Sequence, residues 1–217
     1  MIESVVIIGG ASPDSWPDMT QFDLSKTVFI GVDRGSLYGI KAGFQIDIAV
    51  GDFDSLSESE WEWLVKQVPE VRRCAAEKDD TDMELGVLKA IETYPEAYYY
   101  LVGGTGGRLD HYLSNLWLPL QERFEPFMDR IRLLDVQNTI SYYLPGEYTV
   151  EKEMDKTYLG YICLTAVTKL SLYDAKYQLD QVDFPYPRSL SSNEFIGTTS
   201  RFSFESGCMC VIQSKDN

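Results

Sequence analysis

Two short acidic segments have residue types and spacing suited to metal-assisted chemistry. Gly51-Asp52-Phe53-Asp54-Ser55 directly follows the apolar run IDIAV, and Lys78-Asp79-Asp80-Thr81-Asp82 directly precedes a helix-like pattern. In a strand-end loop, alternate residues can aim two carboxylates toward one point. Asp52 and Asp54 therefore make a plausible anchor for a hard divalent cation such as Mg²⁺, which takes a few carboxylates plus waters and phosphate oxygens. Taken alone, the pair reads equally well as two Asx-turn aspartates. Thr81 with Asp82 likewise reads as a helix cap followed by an acid that complements the helix dipole. Yet aspartates crowded at 79, 80 and 82 repel one another, with Lys78 only a small offset, and a shared cation resolves that conflict.

A third segment, Gly103-Gly104-Thr105-Gly106-Gly107-Arg108-Leu109-Asp110-His111, follows the run YYYLV and leads into a helix. Its glycines, Gly104 and Gly107 among them, allow close backbone approach and a nest of N–H donors of the kind that cradles phosphates. It is neither a P-loop nor GxGxxG, since the closing GK[ST] or the third glycine is missing. Arg108 supplies a planar fork that matches phosphate oxygens, and Asp110 adds a carboxylate at the helix start. His111 is the sole histidine, so it cannot join a zinc cluster; it either acts as an acid or base or merely caps and packs. Asp33 in GVDRG closes another apolar run and, alone, also reads as a turn residue. What carries weight is convergence. All four loops fall at the carboxyl ends of expected strands, where ligands of open α/β sheets bind, and together they describe a phosphoryl-transfer site.

The elements that must position these groups follow from periodicity. Apolar runs at 5–8, 28–32, 46–50 and 98–102 predict strands, each ending in glycine or aspartate. Ser57 with Glu60 and Thr81 with Glu84 predict capping boxes that start helices, and a helix is expected over 111–121, where Leu113, Leu116, Trp117 and Leu120 recur at helical spacing. Beyond Ile131 the pattern changes to short β-branched and aromatic segments (TISYYL, EYTVE, YICLTAV, KLSLY, RFSFE, MCVIQ), the signature of an antiparallel sandwich or barrel. The expected architecture is an N-terminal Rossmann-like α/β domain with a parallel sheet over 1–125 and a C-terminal antiparallel β-sandwich over 131–217.

Composition narrows the partners. With 19 basic against 34 acidic side chains, a formal charge of −15, the average surface repels nucleic-acid backbones and anionic membranes, so neither is an expected partner. A phosphate-bearing substrate must be held by local cations, backbone N–H groups and a few chosen Lys or Arg side chains. Four irregularly spaced cysteines do not form a disulfide framework or a paired zinc motif. The opening MIESVVIIGGAS lacks a basic leader, and no run is long and apolar enough to span a membrane, so a cytoplasmic location is expected.

GVDRG, GDFDS, KDDTD and GGTGGRLDHYLSN, in this order and at these intervals, resemble the motifs of thiamine pyrophosphokinases, and Ser191-Ser192-Asn193-Glu194-Phe195 resembles that family's late SN motif. The resemblance implies transfer of the pyrophosphoryl group of ATP to the hydroxyl of thiamine, leaving AMP, by a homodimer that binds thiamine where subunits meet. It implies that Asp52, Asp54 and Asp82 hold Mg²⁺ and that Lys78, Gly104, Gly107, Arg108 and His111 contact ATP. Asp33 and Asp110 would lie with Arg108 in the reaction centre, with Asp110 a candidate proton acceptor, and Ser192 and Asn193 would contact thiamine. Clustered aromatics, Phe184, Tyr186, Phe195, Phe202 and Phe204, could line a cationic ring or fill an interface, while about half of them would simply fill the sandwich. Two rivals remain: a haloacid-dehalogenase-like phosphohydrolase using the first DFD carboxylate as nucleophile, and a non-catalytic cation-binding module.

Overall fold

In a computed structural model, which describes residues 1–75 and 79–216, the chain divides into two compact units, residues 1–121 with 130–136 and residues 122–129 with 137 onward. The first unit contains β1 (Ser4–Ile8), β2 (Thr27–Val32), α1 (Arg34–Lys41), β3 (Ile48–Gly51), α2 (Glu58–Gln67), β4 (Glu70–Arg73), α3 (Asp82–Thr93), β5 (Tyr98–Val102), α4 (Leu109–Trp117) and β6 (Ile131–Leu134). Its strands lie side by side in the order β6-β5-β1-β2-β3-β4, and every pairing is parallel. Val5 to Ile8 are fully buried because helices cover both faces, which explains a strand with no polar alternation. Val6, Ile8, Phe29 and Ala49 pack with Leu37 of α1 and Leu64 of α2. On the opposite face, Gly86 of α3 lies so close to Val32 and Ile7 that an added Cβ would come within 2.7 Å and 3.1 Å of them.

Both capping boxes form. Ser57 Oγ accepts from the Glu60 N–H while Glu60 accepts from the Ser57 N–H, and Thr81 and Glu84 repeat the exchange. Helix α4 begins two residues earlier than the leucine spacing predicts and ends at Trp117, where Pro119 tightens the chain into a 3₁₀ turn, Leu118–Leu120. Strand β3 starts at Ile48 rather than at 46. Asp47 replaces the ladder there: its carboxylate accepts from the Phe29 N–H (3.1 Å) and its own N–H donates to the Phe29 carbonyl (2.9 Å).

The second unit is a sandwich of antiparallel strands: β7 (Asn138–Tyr143), β8 (Gly146–Glu151), β9 (Tyr158–Cys163), β10 (Val167–Tyr173), β11 (Leu179–Phe184), β12 (Arg188–Glu194), β13 (Thr199–Phe204) and β14 (Met209–Ser214). One layer runs β12-β9-β14-β7 and the other β11-β10-β13-β8. Alternate residues from both layers form the core, including Leu159, Tyr161, Leu170, Leu172, Phe202, Phe204 and Val211. Phe202 is fully buried, with ring centroids of Tyr143, Tyr148 and Tyr161 at 5.0, 5.4 and 5.3 Å. The Tyr161 hydroxyl meets Ser200 Oγ at 2.8 Å, and Ser200 donates on to the Tyr173 carbonyl at 2.9 Å. Burial pushes that phenol up to about 12, so it remains a neutral structural group. Of the clustered aromatics, Phe202 and Phe204 fill the core, Phe184 and Phe195 pack partly buried against it, and Tyr186 is exposed.

Candidate active site

Strand order reverses between β1 and β5, and at their carboxyl ends the chain opens a cavity of about 750 Å³. This is the topological switch point, where the loops after neighbouring strands diverge and leave room for a ligand. The Gly9 N–H donates to the Val102 carbonyl (2.7 Å), and the Ala11 N–H to the Gly103 carbonyl (3.2 Å). A Cβ at Gly9 would fall 2.7 Å from Gly103 O, and one at Gly103 (φ 68°) would fall 2.8 Å from Gly9 O. Only two glycines permit the backbones to meet this closely. Gly106 and Gly107 follow with φ of 77° and 67° and open space where side chains would be, so the segment presents bare backbone to the cavity. From beneath, buried Asn115 of α4 donates to the Gly104 carbonyl at 2.8 Å and fixes the loop.

The carboxylates stand on the neighbouring strand ends. Asp33 follows β2 with φ 48°, held by its N–H to the Val50 carbonyl (2.9 Å) and by its own carbonyl, which accepts from the Ser36 N–H (3.0 Å). Asp52 and Asp54 flank Phe53, whose φ is 58° and whose ring is buried against Trp61 at 5.0 Å between centroids. A bulky residue in that conformation costs roughly 1–3 kcal/mol, and burying its ring offsets this by about as much. The kink lets two carboxylates flank one anchored side chain. The Arg73 guanidinium lies over Trp61 at 5.1 Å and donates to the Asp52 carbonyl at 3.3 Å, bracing the loop from the strand beyond.

Among the described residues, oxygens of Asp33, Asp52 and Asp54 lie within 4.8 Å of one another. Asp52 foremost, then lost hydration and the charge of Asp33, push the Asp54 carboxyl above its ordinary value; Asp82 adds a weaker push in the same direction. Asp33 Oδ1 is buried without a hydrogen-bond partner. A compact set of hard oxygen donors, mutually repelling and including one orphaned atom, fits a small divalent cation. Asp82, at the first position of α3, lines the same cavity but stands outside the tight set, whose third member is Asp33. Lys78 lies outside the described residues.

Arg108 and His111 line the cavity at the start of α4. Arg108 donates from Nε and Nη2 to the two Asp110 oxygens at 3.1 and 2.5 Å, in an exposed pair. That pairing holds the Asp110 carboxyl below the usual carboxylate range, so a paired Asp110 is a weak proton acceptor. Ser192 and Asn193 belong to the second unit. Ser192, φ 61°, is exposed where the register of β12 with β9 shifts. Asn193 is buried: its Oδ1 accepts from the Tyr177 and Glu194 N–H groups (both 2.9 Å), and its Nδ2 donates to the Tyr177 carbonyl (2.8 Å). Its amide is a strut for the turn carrying Tyr177.

Residues the motifs did not single out also line the cavity: Gly9, Gly10, Ser12, Arg34, Ser55 and Asn115. The available signals were the glycine pair closing the first apolar run, the arginine of GVDRG, the serine of GDFDS and the last residue of GGTGGRLDHYLSN.

Known proteins resemble this chain along nearly its whole length. The profile of the thiamin pyrophosphokinase catalytic domain matches residues 20–128, and that of the thiamin pyrophosphokinase vitamin B1 binding domain matches 147–209. A thiamine pyrophosphokinase of Bacillus subtilis (strain 168) is 36% identical, over 99% of this chain and 100% of that one. The crystal structure of a thiamin pyrophosphokinase family protein from Enterococcus faecalis superposes with TM-score 0.94 at 44% identity, covering 99% of this chain and 100% of that one. The thiamine pyrophosphokinase structure from Bacillus subtilis gives 0.87 at 35% identity, with coverage of 99% and 100%. At 15% identity, a Candida albicans enzyme structure still reaches 0.79 over 99% of this chain and 90% of that one, a likeness of fold. Motif order, sheet topology and full-length similarity meet in one conclusion: the chain belongs to the thiamin pyrophosphokinase family.

Proposed function

We propose that this chain transfers the β,γ-pyrophosphoryl group of ATP to the hydroxyl of thiamine, with Mg²⁺, giving thiamine diphosphate and AMP. The observation that carries the reading is the triad of Asp33, Asp52 and Asp54 oxygens within 4.8 Å, in a family whose named members are thiamine pyrophosphokinases. The thiamine oxygen attacks the β-phosphorus, the bond from that phosphorus to the α,β-bridging oxygen breaks, and the hydroxyl proton leaves to a nearby base. When bound, Mg²⁺ would neutralise phosphate charge and orient the transferring group. Asp33, Asp52 and Asp54 would hold it, and Asp82 would add negative charge at the cavity wall. The backbone around Gly104 and Gly107 would cradle phosphate oxygens, with His111 at the same cavity and Lys78 as a further proposed ATP contact. Arg108 exchanges Asp110 for phosphate; the released Asp110 regains basicity and can take the thiamine proton.

The proposed division of labour places ATP and metal in residues 1–125 and thiamine in 131–217, with Ser192 at the ligand and Asn193 holding the adjacent turn. We take the working assembly as a homodimer with thiamine at the subunit boundary, supported by exposed Tyr177, Tyr186 and Ile196 in the second unit. A cytoplasmic location is supported by four unpaired cysteines, and no helix among the described residues is long and apolar enough to cross a membrane. A phosphohydrolase using Asp52 as nucleophile is not favoured by the family match. Incubation with Mg·ATP and thiamine should yield AMP and thiamine diphosphate, and exhaustive chelation should abolish both. ADP or free phosphate as the product, or full activity after chelation, refutes the reading.

A further inference from the structure

The carboxylates of the triad are not equally free to bind a cation. Asp52 Oδ1 accepts from the Asp54 N–H at 3.0 Å, a main-chain bond that no substitution at 54 other than proline removes. Asp33 Oδ2 accepts from the Ser55 hydroxyl at 2.6 Å, while Asp33 Oδ1 is buried without a partner. Ser55 is itself fixed, since its carbonyl accepts from the Arg34 guanidinium, which also lies 3.6 Å from Glu60. Asp33 and Asp52 thus each have one oxygen engaged within the protein, and each residue offers the triad one oxygen within 4.8 Å of the others.

That arrangement discriminates by coordination. Mg²⁺ takes six ligands in a tight octahedron and favours carboxylates that each give one oxygen, whereas Ca²⁺ takes six to eight and readily accepts both oxygens of one carboxylate. We infer that Ser55 is the specificity-determining residue for the cation: by occupying Asp33 Oδ2 it keeps Asp33 monodentate and the site selective for Mg²⁺ over Ca²⁺. This rests on the divalent-cation reading of the triad. Ser55 touches no reacting atom; it acts through Asp33 as a positioning residue. Its side chain is exposed, so removing the hydroxyl opens no cavity, and threonine can supply the same donor.

The test is binding, measured on the full-length protein without nucleotide. Mn²⁺ is titrated and its free fraction followed by electron paramagnetic resonance; Mg²⁺ and Ca²⁺ are then used to displace it. The wild type should bind Mn²⁺ and release it to Mg²⁺ at lower concentration than to Ca²⁺. In Ser55→Ala the Mg²⁺-to-Ca²⁺ preference should fall about tenfold, in line with partners that orient metal ligands, while the urea midpoint stays put and Ser55→Thr keeps the wild-type ratio. An unchanged ratio in Ser55→Ala, equal weakening toward both ions, or a Thr variant that behaves like Ala overturns the assignment. A wild type that binds no Mn²⁺, or binds it undiminished after Asp52→Asn, overturns the cation reading itself.

Discussion

The sheet edge of the first unit and the interior of the second are built to opposite standards. Inside the sandwich, the Tyr161 hydroxyl and Ser200 satisfy each other and Phe202 touches aromatic rings on several sides. At the sheet edge, Asp33 and Phe53 hold left-handed backbone beside crowded carboxylates, and Asp33 Oδ1 has no partner. All of the orphaned buried side-chain atoms found among the described residues, on Asp33, Ser36 and Arg132, belong to the first unit. The sandwich has left-handed residues too: Lys169, Gln181 and Ser192 fall on edge pairings whose register shifts, and Asp174, just after β10, accepts from Arg201 at 2.7 Å. Of the three residues with orphaned atoms, Asp33 is the one that lines the cavity, where a bound cation would repair the broken rule.

Substitutions of matched severity should separate the two regions most sharply. Asp52→Asn should lower turnover on the order of 10²–10³-fold with little change in the urea midpoint, because a half-exposed carboxylate contributes charge rather than packing. Phe202→Ala should cost about 3–5 kcal/mol of unfolding free energy, read from urea curves, since it empties a ring-sized volume in the core. A large loss of stability in the first variant, or none in the second, would erase the distinction.

A smaller effect is expected from Arg108→Lys, which keeps the charge but loses the two-pronged geometry now engaged with Asp110. The KM for ATP should rise roughly tenfold while thermal stability is unaffected, and unchanged ATP kinetics would place Arg108 outside the phosphate site. The smallest effect tests the orphaned atoms themselves. Ser36 is fully buried with an unpartnered hydroxyl, and its backbone packs so closely on Gly31 that only a small side chain fits. Ser36→Ala removes the orphan without a void, so stability should stay level or rise by up to about 1 kcal/mol. A clear loss would mean that the hydroxyl is satisfied in solution.

These contrasts also explain what could be read from sequence. Buried parallel strands and sandwich strands with alternating faces carry strong patterns, and two capping boxes mark their helices by residue type. Helix α1 went unread because Gly35 and Gly39 dilute its periodicity; a Cβ at either would meet Ile8 O at 2.1 Å or Ile46 Cδ1 at 2.6 Å. Strand β4 is a charged edge and β11 and β12 are polar edges of their layers, so none shows an apolar run. At the site, motif spacing singles out loops that line one cavity but not which carboxylates converge. That depends on backbone twists at Asp33 and Phe53, which residue types do not announce. Asn193, which the resemblance implies to contact thiamine, is held on both sides of its amide by the turn carrying Tyr177.

The burial of Phe53 between Asp52 and Asp54 gives the loop a mechanical property. A flexible acidic loop could open and close without disturbing the protein beneath it. Here the carboxylates ride on a side chain seated against Trp61, so the loop cannot swing out unless Phe53 leaves its socket. Opening of the loop and loosening of the core beneath it are therefore a single event. Any ligand that holds the carboxylates together must also slow the escape of that ring, and hydrogen exchange at the Asp54 amide, bonded to Asp52 Oδ1, is the place where this brake would be felt.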